Sequence, residues 1–224
     1  MSIQSINLKL SVALGTKYKS QAQKARVLSE AWAEKNAFCA SCGNSLVKAP
    51  NNMRVFDLEC VECQNQFELK STRRNFLRKI PDGAYKTMVS RLNNISSPDF
   101  FFLTYDIKTF CVTNFFAIPT CFFDTTVIEK RKPLGPDARR SGWIGCNILL
   151  DNIPETGKVF FVKNSIIQKK TDVLNTWERT SFLRSETSIE KRGWTLEILR
   201  IIQTFRNQEF TLQEMYEFEK HLKS

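Results

Sequence analysis

Two Cys-x-x-Cys pairs, Cys39-Ala-Ser-Cys42 and Cys60-Val-Glu-Cys63, stand 17 residues apart in this 224-residue chain. Two such pairs at that distance have the spacing of a structural zinc site with four thiolate ligands. Gly43 follows Cys42 directly and suits a tight knuckle in which backbone amides turn towards sulfur. Four thiolates complete a tetrahedron and leave no place for substrate, so the Zn²⁺ is expected to hold structure and not to react. The plainer alternative is a set of buried thiols without metal. The chain has seven cysteines, an odd number, and its N-terminus lacks the plan of a secretory signal, which favours metal over disulfides. Cys111, Cys121 and Cys146 lie in apolar, strand-like settings and are expected to be core residues.

The second pair lies inside "RVFDLECVECQNQFELKS", residues 54–71. If its knuckle caps a β-hairpin with the turn between Val61 and Cys63, Asp57 faces Glu68 on the neighbouring strand. Lys70 then shares the face of Glu68, because side chains alternate with period two. Phe56, Leu58, Phe67 and Leu69 point to the opposite, buried face. A zinc site at the hairpin end would hold this register, since a slip of one residue would bury the charges. Two carboxylates on adjacent strands form a hard-oxygen site suited to Mg²⁺, which keeps several waters and also accepts phosphate oxygens. A nearby ammonium can orient or deprotonate a metal-bound water. By itself the spacing is a weak signal, and a salt bridge on an exposed strand face is the favoured reading of it.

Net charge sets the expected partner. The chain carries +10 at pH 7, with basic clusters at Arg73-Arg74, Arg78-Lys79, Lys130-Arg131-Lys132 and Arg139-Arg140. A polyanion is the natural partner of such a surface. The one histidine, His221, argues against Ser-His-Asp, Cys-His, His-x-Glu and His-Glu-x-x-His chemistry, and against His-dependent nucleases. No run approaches 18 consecutive apolar residues, so no membrane span and a cytoplasmic protein are expected; the sequence leaves the oligomeric state open, with a monomer favoured.

Helical spacing of Ala25, Leu28, Ala31 and Trp32 predicts a helix over 17–36. "DGAYKTMVSRLNN", residues 82–94, reads as a helix with Asp82 as its N-cap. Strands are expected at 100–106 and 110–119, the first apolar enough to be covered on both faces. The basic, glycine- and proline-bearing stretch 129–143 reads as a functional loop, and strands resume at 144–150 and 157–164. Residues 164–192 read as a linker with one short helix. Two helices follow over 193–224, the second opened by a capping box of Thr211 and Glu214.

The strings "KSQAQKARVLSEAW", "CASCGN", "FELKS", "DGAYKTMVSRL", "FFFLTY", "RKPLGPDARRSGWIGCNI", "FLRSE", "RGWTLEIL" and "EFTLQEMYEFE" occur in this order over almost the whole chain. Together they resemble the DpnI restriction endonucleases of the PD-(D/E)XK superfamily, with Phe56 at the position of the proline that names the motif. The resemblance implies an α/β nuclease core, a mixed sheet flanked by helices with an inserted zinc knuckle pair, over residues 1–185. A partial winged-helix-like segment is expected over 186–224, since no third helix or wing precedes Ser224. It further implies Mg²⁺-dependent cutting of double-stranded DNA at GATC carrying N6-methyladenine. Asp57, Glu68 and Lys70 become the catalytic set, with Mg²⁺ on Asp57 and Glu68, and Cys39, Cys42, Cys60 and Cys63 hold Zn²⁺.

Arg139, Arg140 and Trp143 in the loop are the candidate DNA readers, the arginines for phosphates or guanine edges and the indole for a base or methyl group. Trp143 serves equally as an anchor of its loop. Arg73 and Arg74, just beyond Lys70, are expected on backbone phosphates. An incomplete second reading domain is expected to weaken binding of methylated GATC without abolishing the preference. Two other functions compete. A non-catalytic zinc-ribbon DNA-binding protein or decayed nuclease would need no Asp57, Glu68 or Lys70. A scaffold using the C-terminal helix pair would leave them unexplained.

Overall fold

The computed structural model describes residues 6–50, 56–73, 78–92 and 97–204, with the single positions 211 and 213. Five helices occur among them: α1 (Gln21–Asn36), α2 (Tyr85–Leu92), α3 (Lys170–Glu178), α4 (Ser181–Arg184) and α5 (Ile189–Thr204). The first strands are β1 (Leu46–Lys48), β2 (Leu58–Cys60), β3 (Gln66–Thr72), β4 (Lys79–Ala84) and β5 (Asp99–Tyr105). The later ones are β6 (Val112–Ile118), β7 (Ile128–Lys130), β8 (Gly145–Leu149), β9 (Val159–Lys163) and β10 (Ile166–Ile167). Seven strands form one sheet in the order β1-β2-β3-β5-β6-β9-β10, and three form a second in the order β4-β8-β7. The β3–β5 pair is parallel and the other pairs are antiparallel. This is the mixed sheet flanked by helices expected of a PD-(D/E)XK core.

The sequence of β5 shows why it sits at the centre of the large sheet. All seven of its residues are buried. Phe101, Leu103 and Tyr105 enter a core shared with Trp32 and Ala33 of α1 and Val173 and Trp177 of α3. Phe100 and Phe102 enter a second core with Met88 and Leu92 of α2, Leu196 of α5, and Ile80 and Ile148 of the small sheet. A strand covered on both faces has no use for polar alternation. Its rings stack on neighbours, Phe101 on Phe67 at 4.2 Å and Phe102 on Phe116 at 5.4 Å. Asp99 starts the strand as a buried carboxylate, met by the Thr120 amide at 2.8 Å, Arg184 at 3.0 Å and Asn65 at 3.2 Å. Burial lifts its pKa against these partners.

Four expectations need correction. The first helix starts at Gln21, not residue 17, because Ser20 is extended (φ −72°, ψ 129°) and the chain before it makes 3₁₀-type turns. Asp82 is no helix cap. It lies in β4 opposite Cys146 of β8, and a bulge between Asp82 and Ala84 precedes the start of α2 at Tyr85. Residues 164–192 form no linker either: α3 and α4 bury Val173, Trp177 and Leu183 in the two cores. A short helix with two apolar contacts four residues apart leaves little periodic signal.

The helix expected from residue 193 begins at Ile189. It docks through Leu196, and Arg192 donates to the Leu92 carbonyl at the end of α2 at 2.9 Å. The capping box with Glu214 and the second C-terminal helix lie outside the described residues, as does His221. Among the described residues, no helix is long and apolar enough to cross a membrane.

Candidate active site and metal centre

The four paired cysteines converge. Among the described residues, Cys39, Cys42, Cys60 and Cys63 form a group whose sulfurs all lie within 4.8 Å of one another. The Sγ–Sγ separations are 3.5 Å for Cys39–Cys63 and 3.4 Å for Cys42–Cys60 and Cys42–Cys63. Zn–S bonds of about 2.3 Å in a tetrahedron require edges of roughly 3.8 Å, so the sulfurs need only small outward shifts around an ion. Disulfide bonding would need about 2.05 Å, and all four cysteines are free thiols.

The two knuckles repeat one backbone pattern. The Cys39 amide donates to Asn44 O and the Gly43 amide to Cys39 O, both at 2.8 Å. The Cys60 amide donates to Asn65 O at 2.9 Å and the Gln64 amide to Cys60 O at 3.1 Å. Gly43 has φ +77°, and a Cβ there would meet Lys170 Cε at 2.8 Å. Gln64, at the equivalent place, takes φ 59° without being glycine. Burial opposes ionisation of Cys42, yet the Asn44 amide and the neighbouring thiols outweigh it and draw that thiol down to about 7. Burial pushes Cys39 up instead. A bound cation would supply the charge that lets all four ionise.

Cys60 ends β2, so the knuckle and the hairpin are continuous. Leu58 pairs with Phe67 and Glu59 with Gln66. The Asp57 amide donates at 2.9 Å to Phe67 O, the carbonyl of the residue paired with Leu58, so Asp57 and Leu58 both lie against Phe67 and the regular ladder ends at Leu58. Phe56, Leu58 and Phe67 are buried and Leu69 packs against the first core. Asp57, Glu68 and Lys70 line an open cavity of about 630 Å³ together with Arg26, Glu30 and Ile80. Leu58 and Phe67 enter the first core as the period-two pattern requires, whereas Phe56 and Leu69 also line the cavity beside the charges, so the expected separation of faces is only partial.

Each charged group in the cavity has partners. The Leu69 amide donates to Asp57 Oδ2 at 2.8 Å, and Arg26 Nη2 lies 3.7 Å from Asp57 Oδ1. Burial pushes the Asp57 carboxyl above its usual range, helped by Glu30 and Glu68; the Leu69 amide and Arg26 pull back without cancelling it. Glu68 is held by two cations, Lys70 and, at 2.5 Å, Arg91 Nη1. The Arg91 guanidinium lies 5.0 Å from the centre of the Phe100 ring. Lys70 also contacts Asp82. Burial works against the Lys70 ammonium, but the Glu68 and Asp82 carboxylates outweigh it and hold its pKa above the ordinary value.

Sequence reasoning missed Asp82, Arg91, Glu30 and Arg26. All four lie in strings that carry the family resemblance, "KSQAQKARVLSEAW" and "DGAYKTMVSRL", but no spacing rule joins them to the hairpin.

Comparison with known families decides the kinship. Residues 6–186 match the model of the DpnI, or Dam-replacing, family, and residues 190–224 match that of the Dam-replacing HTH domain. The chain belongs to the DpnI family. DpnI membership makes it a methyl-dependent restriction enzyme, and its HTH match makes DNA the partner. The cluster of four cysteines is a site able to hold a metal ion in this DpnI-family chain.

The remaining candidates of this DpnI-family chain are dispersed. Arg73 is exposed just past β3, its Nη1 donating to Gln21 Oε1 at 3.2 Å. Arg74 lies outside the described residues. Arg139 and Arg140 are exposed on the loop between β7 and β8. Trp143 is half-buried: Arg140 stacks on it at 4.7 Å, and its ring edge covers Gly145 so closely that a Cβ there would sit 2.7 Å away. The indole thus anchors the foot of its loop while remaining partly open to solvent.

Proposed function

We propose that this chain hydrolyses phosphodiester bonds of double-stranded DNA at GATC carrying N6-methyladenine, with Mg²⁺ as cofactor and Asp57, Glu68 and Lys70 as the catalytic set. The observation that carries the reading is the placement of these three groups on the polar face of one hairpin whose end is a four-cysteine knuckle. Two adjacent carboxylates in an open, polar cavity are the donor set of a cation that keeps waters and takes phosphate oxygens. When bound there, Mg²⁺ would polarise the scissile phosphate and acidify a water.

The chain's own groups do the rest. Asp57 and Glu68 supply oxygen ligands, and the Leu69 amide fixes which Asp57 oxygen faces the cavity. Glu68 gives up part of its hold on Lys70 and Arg91 as it takes up a ligand role. Lys70, kept cationic by its carboxylate neighbours, donates hydrogen bonds to the phosphate or the attacking water. Cys39, Cys42, Cys60 and Cys63 hold Zn²⁺ and keep the register. Arg73, Arg74, Arg139 and Arg140 serve phosphates or guanine edges, and Trp143 offers its open side to the methyl group. In this reading residues 1–185 cut and 186–224 add a second DNA contact.

The test is a digest of adenine-methylated and unmethylated plasmid side by side, with Mg²⁺ and with EDTA. Cutting of the methylated plasmid alone, at GATC and only with Mg²⁺, is expected. Equal cutting of both would leave a zinc-stabilised nuclease without methyl direction.

A further inference from the structure

The charges around Lys70 do not belong to one strand or one sheet. Glu68 and Lys70 come from β3 in the large sheet, whereas Asp82 comes from β4 in the small one. Asp82 is nearly enclosed, its side chain 7% exposed against 16% for Lys70. Its only ion-pair partner among the described residues is Lys70. Glu68, in contrast, is shared between Lys70 and Arg91. Two cations on one carboxylate compete with any divalent ion that must bind it.

Asp82 changes that competition in two ways. It gives Lys70 a second acceptor, so the ammonium can leave Glu68 without being stranded in a desolvated site. It also adds a third negative charge to a cluster of Asp57 and Glu68 against Lys70 and Arg91, leaving the group with a net charge favourable to a cation. Resting on the function proposed above, we propose that Asp82 is a positioning residue for Lys70, which holds the ammonium off Glu68 when that carboxylate takes its metal and keeps it aimed at the reacting phosphate.

The placement of Asp82 gives the proposal a second consequence. Asp82 pairs with Cys146 and Ala84 with Gly145, and the Tyr85 amide donates to Ile144 O at 3.1 Å. These partners directly follow Trp143, at the foot of the basic loop. The residue that positions Lys70 is therefore laddered to the segment that carries the loop.

The experiment uses the full-length, zinc-loaded chain with Asp82→Asn, Lys70→Ala and the double variant. Single-turnover cleavage of a methylated duplex is measured with melting and duplex affinity as controls. Mn²⁺ binding to the DNA-free protein is measured by calorimetry. Asp82→Asn is expected to keep duplex affinity and lower the cleavage rate about 10- to 100-fold, the scale of one lost charge-assisted bond. It should also bind Mn²⁺ more weakly by about the same order, because Lys70 then stays on Glu68. Adding Lys70→Ala to Asp82→Asn should restore Mn²⁺ affinity to wild type or beyond, a recovery that mere structural damage would not give.

Where Asp82→Asn does not yield folded protein, Asp82→Glu takes its place, with weaker Mn²⁺ binding and slower cleavage again expected. Wild-type rate and Mn²⁺ affinity in the Asp82 variant, with Lys70→Ala inactive, would overturn the inference and leave the proposed function standing. Wild-type cleavage by Lys70→Ala would sink the catalytic assignment itself.

Discussion

The β2–β3 and β5–β6 hairpins lie in one sheet, joined by the parallel pairing of β3 with β5. They are held by different forces. The β5–β6 pair has six opposed residue positions, from Phe100–Ile118 to Tyr105–Val112, and aromatic cores on both sides. Its turn is satisfied from within, Asp106 Oδ1 accepting from the Lys108 and Thr109 amides. The β2–β3 pair has two opposed positions and turns a charged face to a cavity. With two opposed positions the pair has few ladder bonds of its own to hold it. Its far end is gathered by four sulfurs instead. Where a strand pair must display carboxylates, apolar packing can hold only half of it, and under the proposed function a metal on the four sulfurs would take over the other half.

The comparison can be broken most directly at Cys60. Cys60→Ser should release the zinc, and since structural sites of this kind carry on the order of 10 kcal/mol of apparent binding free energy, cleavage should vanish and the melting temperature should collapse. Metal analysis and melting of the purified variant check this; a folded, zinc-free, active Cys60→Ser protein would contradict it.

Phe101→Ala attacks the other hairpin. It removes a fully buried ring stacked on Phe67 and near Phe115 at 4.9 Å. The expected cost is about 3–5 kcal/mol in denaturant unfolding, with the zinc content unchanged. Zinc loss in this variant would mean that the two hairpins are not independently held.

Asp57→Ala or Glu68→Ala should leave both hairpins intact and lower cleavage on the order of 100- to 1,000-fold, with duplex binding retained. The acid limb of wild-type kcat/KM sharpens the same point, since it reports groups of the free enzyme. Burial raises the Asp57 pKa above the ordinary 3.8. The ionised, metal-binding form is therefore lost at a higher pH on acidification than for an exposed aspartate, and the limb should move up accordingly.

The smallest effect is expected at the loop. Burying one methyl group is worth about 1 kcal/mol, so Trp143→Ala should change the preference for methylated over unmethylated duplex by less than tenfold. Arg140→Ala should weaken both duplexes alike. Paired titrations at one salt concentration distinguish the two.

The two hairpins also differ in how far their sequences disclose them. Cysteine spacing and period-two alternation act over a few residues, so the meeting of the four cysteines and the pairing of Leu58 with Phe67 are legible in the amino-acid sequence alone. The unbroken apolar run of β5 marks a doubly covered strand. Asp82 is not legible in the same way. An aspartate before glycine and a helix reads as a cap, and nothing local reports that residues 79–84 pair with 145–149. The helices over 170–184 escape a local reading for a related reason: Trp177 is placed by its contact with Phe67, at a ring separation of 6.2 Å, from more than a hundred residues away. Non-local pairing leaves no periodic trace in the segment that makes it.

The chain order of the knuckles and the central strand has a consequence for the proposed zinc site. Both are complete once Cys63 has left the ribosome, whereas β5, the strand on which β3 leans, spans Asp99–Tyr105 and is made later. A turn gathered by metal, as proposed, could therefore hold β2 against β3 as soon as β3 is made, before their apolar support exists. If the knuckles hold zinc as proposed, the availability of zinc to the nascent chain, and not the later collapse of its aromatic core, would decide when a newborn molecule acquires the arrangement on which its chemistry depends.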